Sequence, residues 1–295
     1  MYQLKDQVAN GQGRKTVKNL SPENLCGSNF GYGKFSLEMC LNDMADLGLK
    51  KFEMWGWAPH FHVDHVGKSE IDGLNKSLTS RGMELACYTP EQMVYPVNIA
   101  SADDTLRSAS VAFFKRAAEI ASDLNCPFLF VTCGWGYYER PTGAAWKRSV
   151  EAMNEICTYA ATLGVTCITE SLQPQETNLV LTAQEVKKYL DDVGAPNLKT
   201  ALDTGAMAIQ GEEPKEHFDL YGDKIVHCHF VDAVPRSVSH LVWGDGELPM
   251  DAYLQYMDDQ GYSGLLTVEM NPGRYGKDPT KFLKDSVERL SKALC

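Results

Sequence analysis

The sequence lacks the features of a membrane protein or a nucleic-acid-binding protein. No apolar run approaches the length of about 18 residues that spans a bilayer, and the first thirty residues contain no apolar core of a signal peptide. Basic residues are in deficit, since 28 Lys and Arg face 39 Asp and Glu for a net charge of −11. That balance repels a phosphate backbone. We therefore expect a cytoplasmic protein that binds neither membranes nor nucleic acid.

A disulfide framework and internal linkers are missing as well. The nine cysteines are an odd number, and several lie inside apolar runs, where a free thiol behaves as a small hydrophobe. No low-complexity segment or charge block divides the chain. We expect one catalytic domain over residues 21–295, preceded by a polar N-terminal extension at residues 1–20 that is loose or pairs with another subunit.

One plan is repeated eight times along the chain: a short apolar run, a turn rich in Gly, Pro or Asn, and a segment with helical periodicity. This alternation is typical of parallel strands joined by crossover helices. Eight units over this length predict an α/β fold, a single (β/α)8 TIM barrel. The expected strands are residues 24–30, 50–57, 83–89, 127–133, 165–171, 198–204, 225–232 and 264–270, and amphipathic helices are expected at 36–48, 103–123, 144–163, 182–193 and 279–294.

Ionisable residues stand at the ends of four successive predicted strands, five to eight. They are Glu170 in ITES, Asp203 in ALDT, His229 in HCHFVD and Glu269 in TVEM. Chemistry in a barrel of this kind lies at the C-terminal ends of the strands. Any one of these carboxylates alone could simply accept hydrogen bonds from loop amides, but three carboxylates crowded around an imidazole repel unless a cation neutralises them. This oxygen-rich set predicts one divalent metal, with Mn²⁺ first and Mg²⁺, Co²⁺ or Zn²⁺ as alternatives.

Several stretches carry a resemblance to a known family: FEMWGWAPH at 52–60, YTPEQMVYPVN at 88–98, ESLQPQETN at 170–178, HFVD at 229–232 and GDGELPM at 244–250. Over residues 24–290 the chain resembles the xylose isomerase-like barrels that include D-tagatose and D-psicose 3-epimerases, and among them it is most similar to fructoselysine 3-epimerases. The resemblance implies that Glu170, Asp203, His229 and Glu269 hold the metal and that Glu170 and Glu269 form the acid/base pair. The implied activity is a metal-dependent ketose or Amadori-sugar 3-epimerase, an isomerase that works by proton transfer through an enediolate.

The same resemblance assigns five residues to substrate binding: Glu176, His60, Glu91, Trp135 and Arg236. Trp135 lies in CGWGYY, where many relatives have a His. Arg236 would replace a family arginine that contacts sugar hydroxyls, although its spacing from the metal histidine does not align cleanly.

Two further positions, Ala206 and His227, need separate expectations. DTGA places Ala206 where psicose-type enzymes have a His three residues after the metal aspartate, which puts recognition of a small free ketose in doubt. We expect the side chain of His227 to face the surrounding helices as a core histidine.

Other functions remain open at this point. The barrel subunit of C-glycoside-cleaving enzymes, a metal-dependent lyase, shares the metal set, and a non-catalytic sugar-binding barrel is a further alternative. HFHVDH at 60–65 fits the HxHxDH signature of metallo-β-lactamase-like hydrolases. The strand–helix alternation argues against that fold, although His60 or His62 could bring a second metal to the barrel. We expect a small-molecule sugar as substrate and association into dimers or tetramers.

Overall fold

The computed structural model describes residues 17–93 and 96–295, and it contains a closed barrel of eight parallel strands. Around the barrel the strands follow one another in chain order, and Leu25 pairs with Leu266 where the last strand meets the first. The predicted fold class is confirmed, and each observed strand lies within one residue of its predicted range. The strands are β1 (Leu25–Ser28), β2 (Lys51–Gly56), β3 (Glu84–Pro90), β4 (Phe128–Phe130), β5 (Thr166–Thr169), β6 (Leu198–Asp203), β7 (Ile225–His229) and β10 (Leu265–Val268).

Helices follow the strands and cover the outside of the barrel. They are α1 (Leu37–Asp46), α2 (Lys68–Ser80), α3 (Asp104–Asp123), α4 (Gly143–Thr162), α5 (Ala183–Val193), α6 (Thr204–Gln210), α7 (Pro214–Tyr221), α8 (Met250–Asp259), α9 (Pro272–Tyr275) and α10 (Pro279–Leu294). Side chains at their starts accept hydrogen bonds from amides that would otherwise lack partners. Ser36 accepts from Met39 at α1, and Thr182 and Glu185 form a capping box at α5. None of the described helices is long and apolar enough to cross a membrane.

The hydrophobic core has two parts, one inside the barrel and one between the strands and the helices. Side chains such as Cys87, Phe130, Ile168 and Ala201 fill the barrel interior, and a larger apolar layer lies between the strands and the helices. All nine cysteines are unpaired, and eight of them are buried, in agreement with the expectation that they serve as small hydrophobes.

A hairpin interrupts the repeat after β7, where the sequence predicted one continuous strand over residues 225–232. The barrel strand stops at His229, and the chain then forms the antiparallel strands β8 (Asp232–Val234) and β9 (Val238–Leu241). The buried carboxylate of Asp232 fixes the segment that follows, because it accepts hydrogen bonds from the amides of Gly244, Gly246 and Leu248. The HFVD and GDGELPM stretches are thereby connected by one side chain.

The N-terminal extension is described only in part, since residues 1–16 of the predicted range 1–20 lie outside the described residues. Its last residues are attached to the barrel and are not loose. The amides of Lys18, Asn19 and Leu20 all donate to the carboxylate of Asp258 on α8, at distances between 2.7 and 3.0 Å.

Candidate active site

The four residues singled out at the strand ends converge at the C-terminal mouth of the barrel. Glu170 and Glu269 directly follow β5 and β10, and Asp203 and His229 end β6 and β7. The Nδ1 atom of His229 lies 3.2 Å from Oε2 of Glu170 and 3.2 Å from Oε2 of Glu269. Ligand atoms of Glu170, Asp203 and His229 all lie within 4.8 Å of one another. All four side chains are buried. The structure therefore brings together the whole predicted ligand set.

The carboxylate of Asp203 has two separate tasks. It is the N-cap of α6, where its Oδ1 accepts hydrogen bonds from the amides of Gly205 at 2.7 Å and Ala206 at 3.1 Å. These bonds fix the plane of the carboxylate, and the second oxygen, Oδ2, faces the site. The DTGA sequence thus starts a helix and orients a candidate metal ligand at the same time.

His229 is held from below by Glu53, a residue of β2 that the sequence reasoning missed. Nε2 of His229 lies 3.3 Å from Oε1 of Glu53, which also accepts a hydrogen bond from Thr89 at 2.6 Å. Because a carboxylate only accepts, the proton belongs on Nε2, and Nδ1 is the nitrogen that can bind a metal. A buried carboxylate behind a metal-binding histidine is a common supporting arrangement.

His227 also contacts Glu53, so the expectation for it is wrong. Its Nε2 lies 2.8 Å from Oε2 of Glu53, and its ring centroid is 5.1 Å from that of His229. Both histidines point into the barrel, because residues two apart on a strand share a face. Burial disfavours the charge of Glu53, but the two imidazoles outweigh it and hold the pKa of Glu53 well below its usual range.

The donor set fits a divalent cation. Oε2 of Glu170 and Nδ1 of His229 are buried atoms without a hydrogen-bond partner, although they lie 3.2 Å apart, so their contact lacks hydrogen-bond geometry. Burial raises the pKa of Glu170 to about 8. The pKa of His229 is raised well above its usual value, because Glu269, Glu53 and Glu170 outweigh the effect of burial. Without metal the site therefore holds protons in place of a positive ion.

A fifth polar side chain reaches the same point from the hairpin. His240 on β9 places Nε2 3.1 Å from Oε2 of Glu269 and 3.4 Å from Oδ2 of Asp203. Its pKa is raised well above the usual value, since the charge of Asp203, followed by that of Glu269, outweighs burial. Sequence reasoning missed His240, because that segment was assigned to no strand. The only signal was the His in VSHLVW, a short alternating run.

A cavity of about 380 Å³ opens above these residues. Apolar and aromatic side chains form part of its wall, including Phe30, Trp55 and Phe130, and amide and hydroxyl groups such as those of Gln173 and Ser239 form another part. This mixture suits a polyol, whose carbon skeleton packs on aromatic faces while its hydroxyl groups form hydrogen bonds. No Lys or Arg lines the cavity among the residues described.

Two of the five residues predicted to bind substrate are placed at or beside this cavity. Glu176 lines it, and burial raises the pKa of its carboxyl group. Glu91 lies behind the wall and fixes Trp55, because its Oε2 accepts a hydrogen bond from the indole Nε1 at 2.7 Å.

The structure does not bring His60, Trp135 or Arg236 into the described lining of the cavity. His60 donates from Nε2 to the carbonyl of Phe35 and accepts at Nδ1 from the amide of Asn29, so both ring nitrogens are used. Trp135 is 38% exposed. The guanidinium of Arg236 packs over Gly211, where an added Cβ would lie 2.4 Å from Nη2.

The HFHVDH segment lies beside a separate cavity of about 430 Å³ that His60, His62 and His65 line. The groups of described residues whose geometry could hold a metal are all at the barrel mouth or directly below it, and none includes residues 60–65. The candidate metal ligands therefore line the cavity at the barrel mouth and not the cavity beside residues 60–65.

The residues matched by a known family cover most of the chain. The family model described as a xylose isomerase-like TIM barrel matches residues 41–293. The chain belongs to this family. This membership confirms the resemblance drawn from the sequence.

Curated relatives include sugar 3-epimerases. Fructoselysine 3-epimerase of Escherichia coli O157:H7 is 30% identical over 260 residues, which cover 88% of this chain and 94% of that protein. D-psicose 3-epimerase of Agrobacterium fabrum is 26% identical over 234 residues, with 78% of this chain and 77% of that protein covered. These relatives are isomerases, and the chain is accordingly an enzyme of the isomerase class.

Solved structures agree in fold. The crystal structure of D-psicose 3-epimerase in the presence of D-fructose superposes with a TM-score of 0.76 at 22% identity, covering 92% of this chain and 98% of that one. The structure of L-ribulose 3-epimerase gives a TM-score of 0.77 at 21% identity, with 92% and 94% covered.

Proposed function

We propose that this protein is a divalent-metal-dependent 3-epimerase of a ketose or an Amadori sugar. The observation that carries the proposal is the convergence of two buried glutamates, Glu170 and Glu269, on Nδ1 of His229 at the floor of the cavity. Their strands, β5 and β10, are separated in the barrel by β6 and β7. The two carboxyl groups therefore enter the cavity from different sides.

Epimerisation at the carbon next to a carbonyl needs an acid and a base on opposite faces of that carbon. One glutamate, as a carboxylate, takes the proton from C3; the electron pair of the broken C–H bond forms the C2=C3 double bond, and the π pair of the carbonyl moves onto its oxygen to give an enediolate. The other glutamate, as an acid, returns its proton to C3 from the opposite face. We assign these exchanging roles to Glu170 and Glu269.

Glu170, Asp203, His229 and Glu269 would hold the cation. When bound, a divalent ion makes the C3 proton more acidic by polarising the carbonyl and a neighbouring hydroxyl, a contribution of several kcal/mol in enzymes of this kind. The oxygen-rich donor set favours Mn²⁺, with Mg²⁺, Co²⁺ and Zn²⁺ as alternatives. Asp203, whose pKa is lowered by the imidazoles of His240 and His229 against the effect of burial, stays an anion throughout.

The composition of the wall favours a substrate without a phosphate group. Phosphate recognition uses Arg, Lys or several free backbone amides, whereas the described lining has no basic side chain other than His229 and His240, which face carboxylates. We propose that Gln173 and Glu176 contact hydroxyl groups of the sugar, since both line the cavity beside the reacting centre. Cytoplasmic location and association into dimers or tetramers stay predictions from the sequence.

Solvent deuterium exchange tests the proposal directly. The protein loaded with Mn²⁺ is incubated in D₂O with a panel of free ketoses, Amadori compounds and ketose phosphates, and deuterium at C3 is measured by NMR. We expect exchange and epimer formation with at least one unphosphorylated sugar.

Glu269→Gln keeps the size of the side chain but leaves no carboxyl group to take or return a proton. Deuterium exchange at C3 should therefore be lost. Glu247→Gln is the matched control, because Glu247 is exposed on the nearby GDGEL segment, and this variant should retain activity. Tight sugar binding without exchange for every compound would favour a non-catalytic barrel. Cleavage of a C-glycoside without exchange at C3 would favour the lyase.

A further inference from the structure

The imidazole of His240 reaches the metal site by an unusual route. His240 belongs to the hairpin strand β9 and not to a barrel strand, and its φ of 56° lies in the left-handed region that non-glycine residues rarely adopt. Such a backbone conformation is strained and is often found at functional sites. The conformation turns the ring into the barrel mouth, where Nε2 contacts Glu269 and Asp203.

The hairpin can approach this closely because the start of α6 carries small residues. A Cβ added at Gly205 would lie 3.0 Å from the Cβ of Ser239, which is tighter than ordinary contact. The next residue, Ala206, is small as well. A side chain larger than hydrogen at residue 205 would push the hairpin, and His240 with it, away from the site.

A hydrogen-bond chain settles which nitrogen of His240 faces the site with a lone pair. Ser239 Oγ lies 2.8 Å from the amide oxygen Oε1 of Gln173, which can only accept, so the hydroxyl donates to it. The same Oγ lies 3.0 Å from Nδ1 of His240 and must accept there. Nδ1 therefore carries the proton, and Nε2 is the nitrogen available to a cation. Glu53 acts on His229 in the same way, because it holds the proton on Nε2 and leaves the lone pair on Nδ1.

The spacing of these atoms agrees with neighbouring positions around one ion. Two ligand atoms about 2.1 Å from a cation and at right angles to each other lie about 3.0 Å apart. Nε2 of His240 is 3.1 Å from Oε2 of Glu269 and 3.4 Å from Oδ2 of Asp203. The corresponding distance from Nδ1 of His229 to the same Glu269 oxygen is 3.2 Å. The two histidines thus stand in equivalent relations to one carboxylate oxygen.

We propose that His240 is a fifth protein ligand, which binds the divalent cation through Nε2. The proposal rests on the metal site of the proposed function and adds a residue to it. With five protein ligands, a six-coordinate ion would have one position left for an oxygen of the sugar.

Electron spin-echo spectroscopy of bound Mn²⁺ counts the histidine nitrogens attached to the metal and needs no substrate. The full-length protein carrying less than one equivalent of Mn²⁺ should show two histidine couplings, and His240→Ala should show one. We also expect the Kd for Mn²⁺ to rise at least about tenfold in that variant. His65→Ala, which removes an exposed histidine, should keep both couplings.

The wild-type spectrum decides the matter even if His240→Ala does not fold, and His240→Gln, which preserves the size of the side chain, repeats the comparison. A single coupling in the wild-type protein would overturn the proposal and leave the four-ligand site and the proposed function standing. If the protein bound no Mn²⁺ at all, both the fifth ligand and the metal-dependent function would be refuted.

Discussion

Replacement of Glu53 by Gln tests whether the buried carboxylate below the site prepares His229 for the metal. Glu53 is 1% exposed, and its two oxygens face different imidazoles: Oε1 faces His229 and Oε2 faces His227. Glutamine has the same shape but offers one carbonyl oxygen and one NH₂ group. Whichever way the amide turns, one imidazole N–H then meets a donor, and Thr89 competes for the remaining oxygen.

The expected size of the effect follows from this arrangement. Removal of the partner of a metal-binding histidine typically weakens metal affinity about 10- to 100-fold, or about 1.4–2.7 kcal/mol. Because Glu53 is fully buried and no water can take its place, we expect a loss toward the upper end of that range. His229 would no longer be held with its proton on Nε2, so Nδ1 would present a lone pair to the cation for only part of the time.

Isothermal titration of the metal-free protein with Mn²⁺ measures the change, and circular dichroism verifies that each variant is folded. Glu84→Gln is the matched control, since Glu84 is an exposed glutamate on the neighbouring strand β3. A Kd for Mn²⁺ that is the same in Glu53→Gln and in the control would refute the orienting role of Glu53.

Three further predictions concern the site and its supports. Burial raises the pKa of Glu170 to about 8 in the metal-free protein, and the pKa of His229 is raised as well, so a cation that binds at lower pH must displace protons. The Kd for Mn²⁺ should therefore fall by at least about tenfold per unit as the pH rises from about 6 to 8; calorimetric titrations in a pH series that show a constant Kd would contradict this. Arg236→Ala should leave KM for the sugar unchanged in steady-state assays, since its guanidinium packs over Gly211, and a large rise in KM would return it to the substrate site. Asp232→Asn should lower the free energy of unfolding in urea by about 2–4 kcal/mol, because an amide cannot accept all the backbone bonds that the carboxylate now holds, and an unchanged urea midpoint would exclude that role.

The fold and the four strand-end residues could be predicted because both depend on a repeated local pattern. Parallel strands joined by helices place every C-terminal strand end on the same side of a barrel. An acid at the end of a predicted strand is therefore close to the other strand ends, whatever the details of packing. Glu170 and Glu269 are 99 positions apart in the sequence, but that rule alone brings them to one histidine.

The supporting residues could not be found by the same rule. Glu53 lies in the middle of β2, and its strand is buried on both faces, so no alternation of polar and apolar residues distinguishes it. His240 depends on a hairpin that breaks the repeat, and its direction is fixed by a left-handed backbone conformation that no local pattern specifies. Trp135 and Arg236 were chosen by resemblance in position, which does not determine the direction of a side chain.

Charges of alternating sign run along the barrel axis and favour the binding of a cation at this site. At the lower level the anionic Glu53 contacts Nε2 of His229, and above it the carboxylates of Glu170, Asp203 and Glu269 surround Nδ1 of the same ring. The three imidazoles of His227, His229 and His240 are fewer than the four carboxylates they contact. In the metal-free protein the difference is made up by protons, as the raised pKa values of Glu170 and His229 show. A divalent ion that replaced those protons would convert the same side chains from proton holders into ligands, so metal binding and proton release would be one event in this barrel.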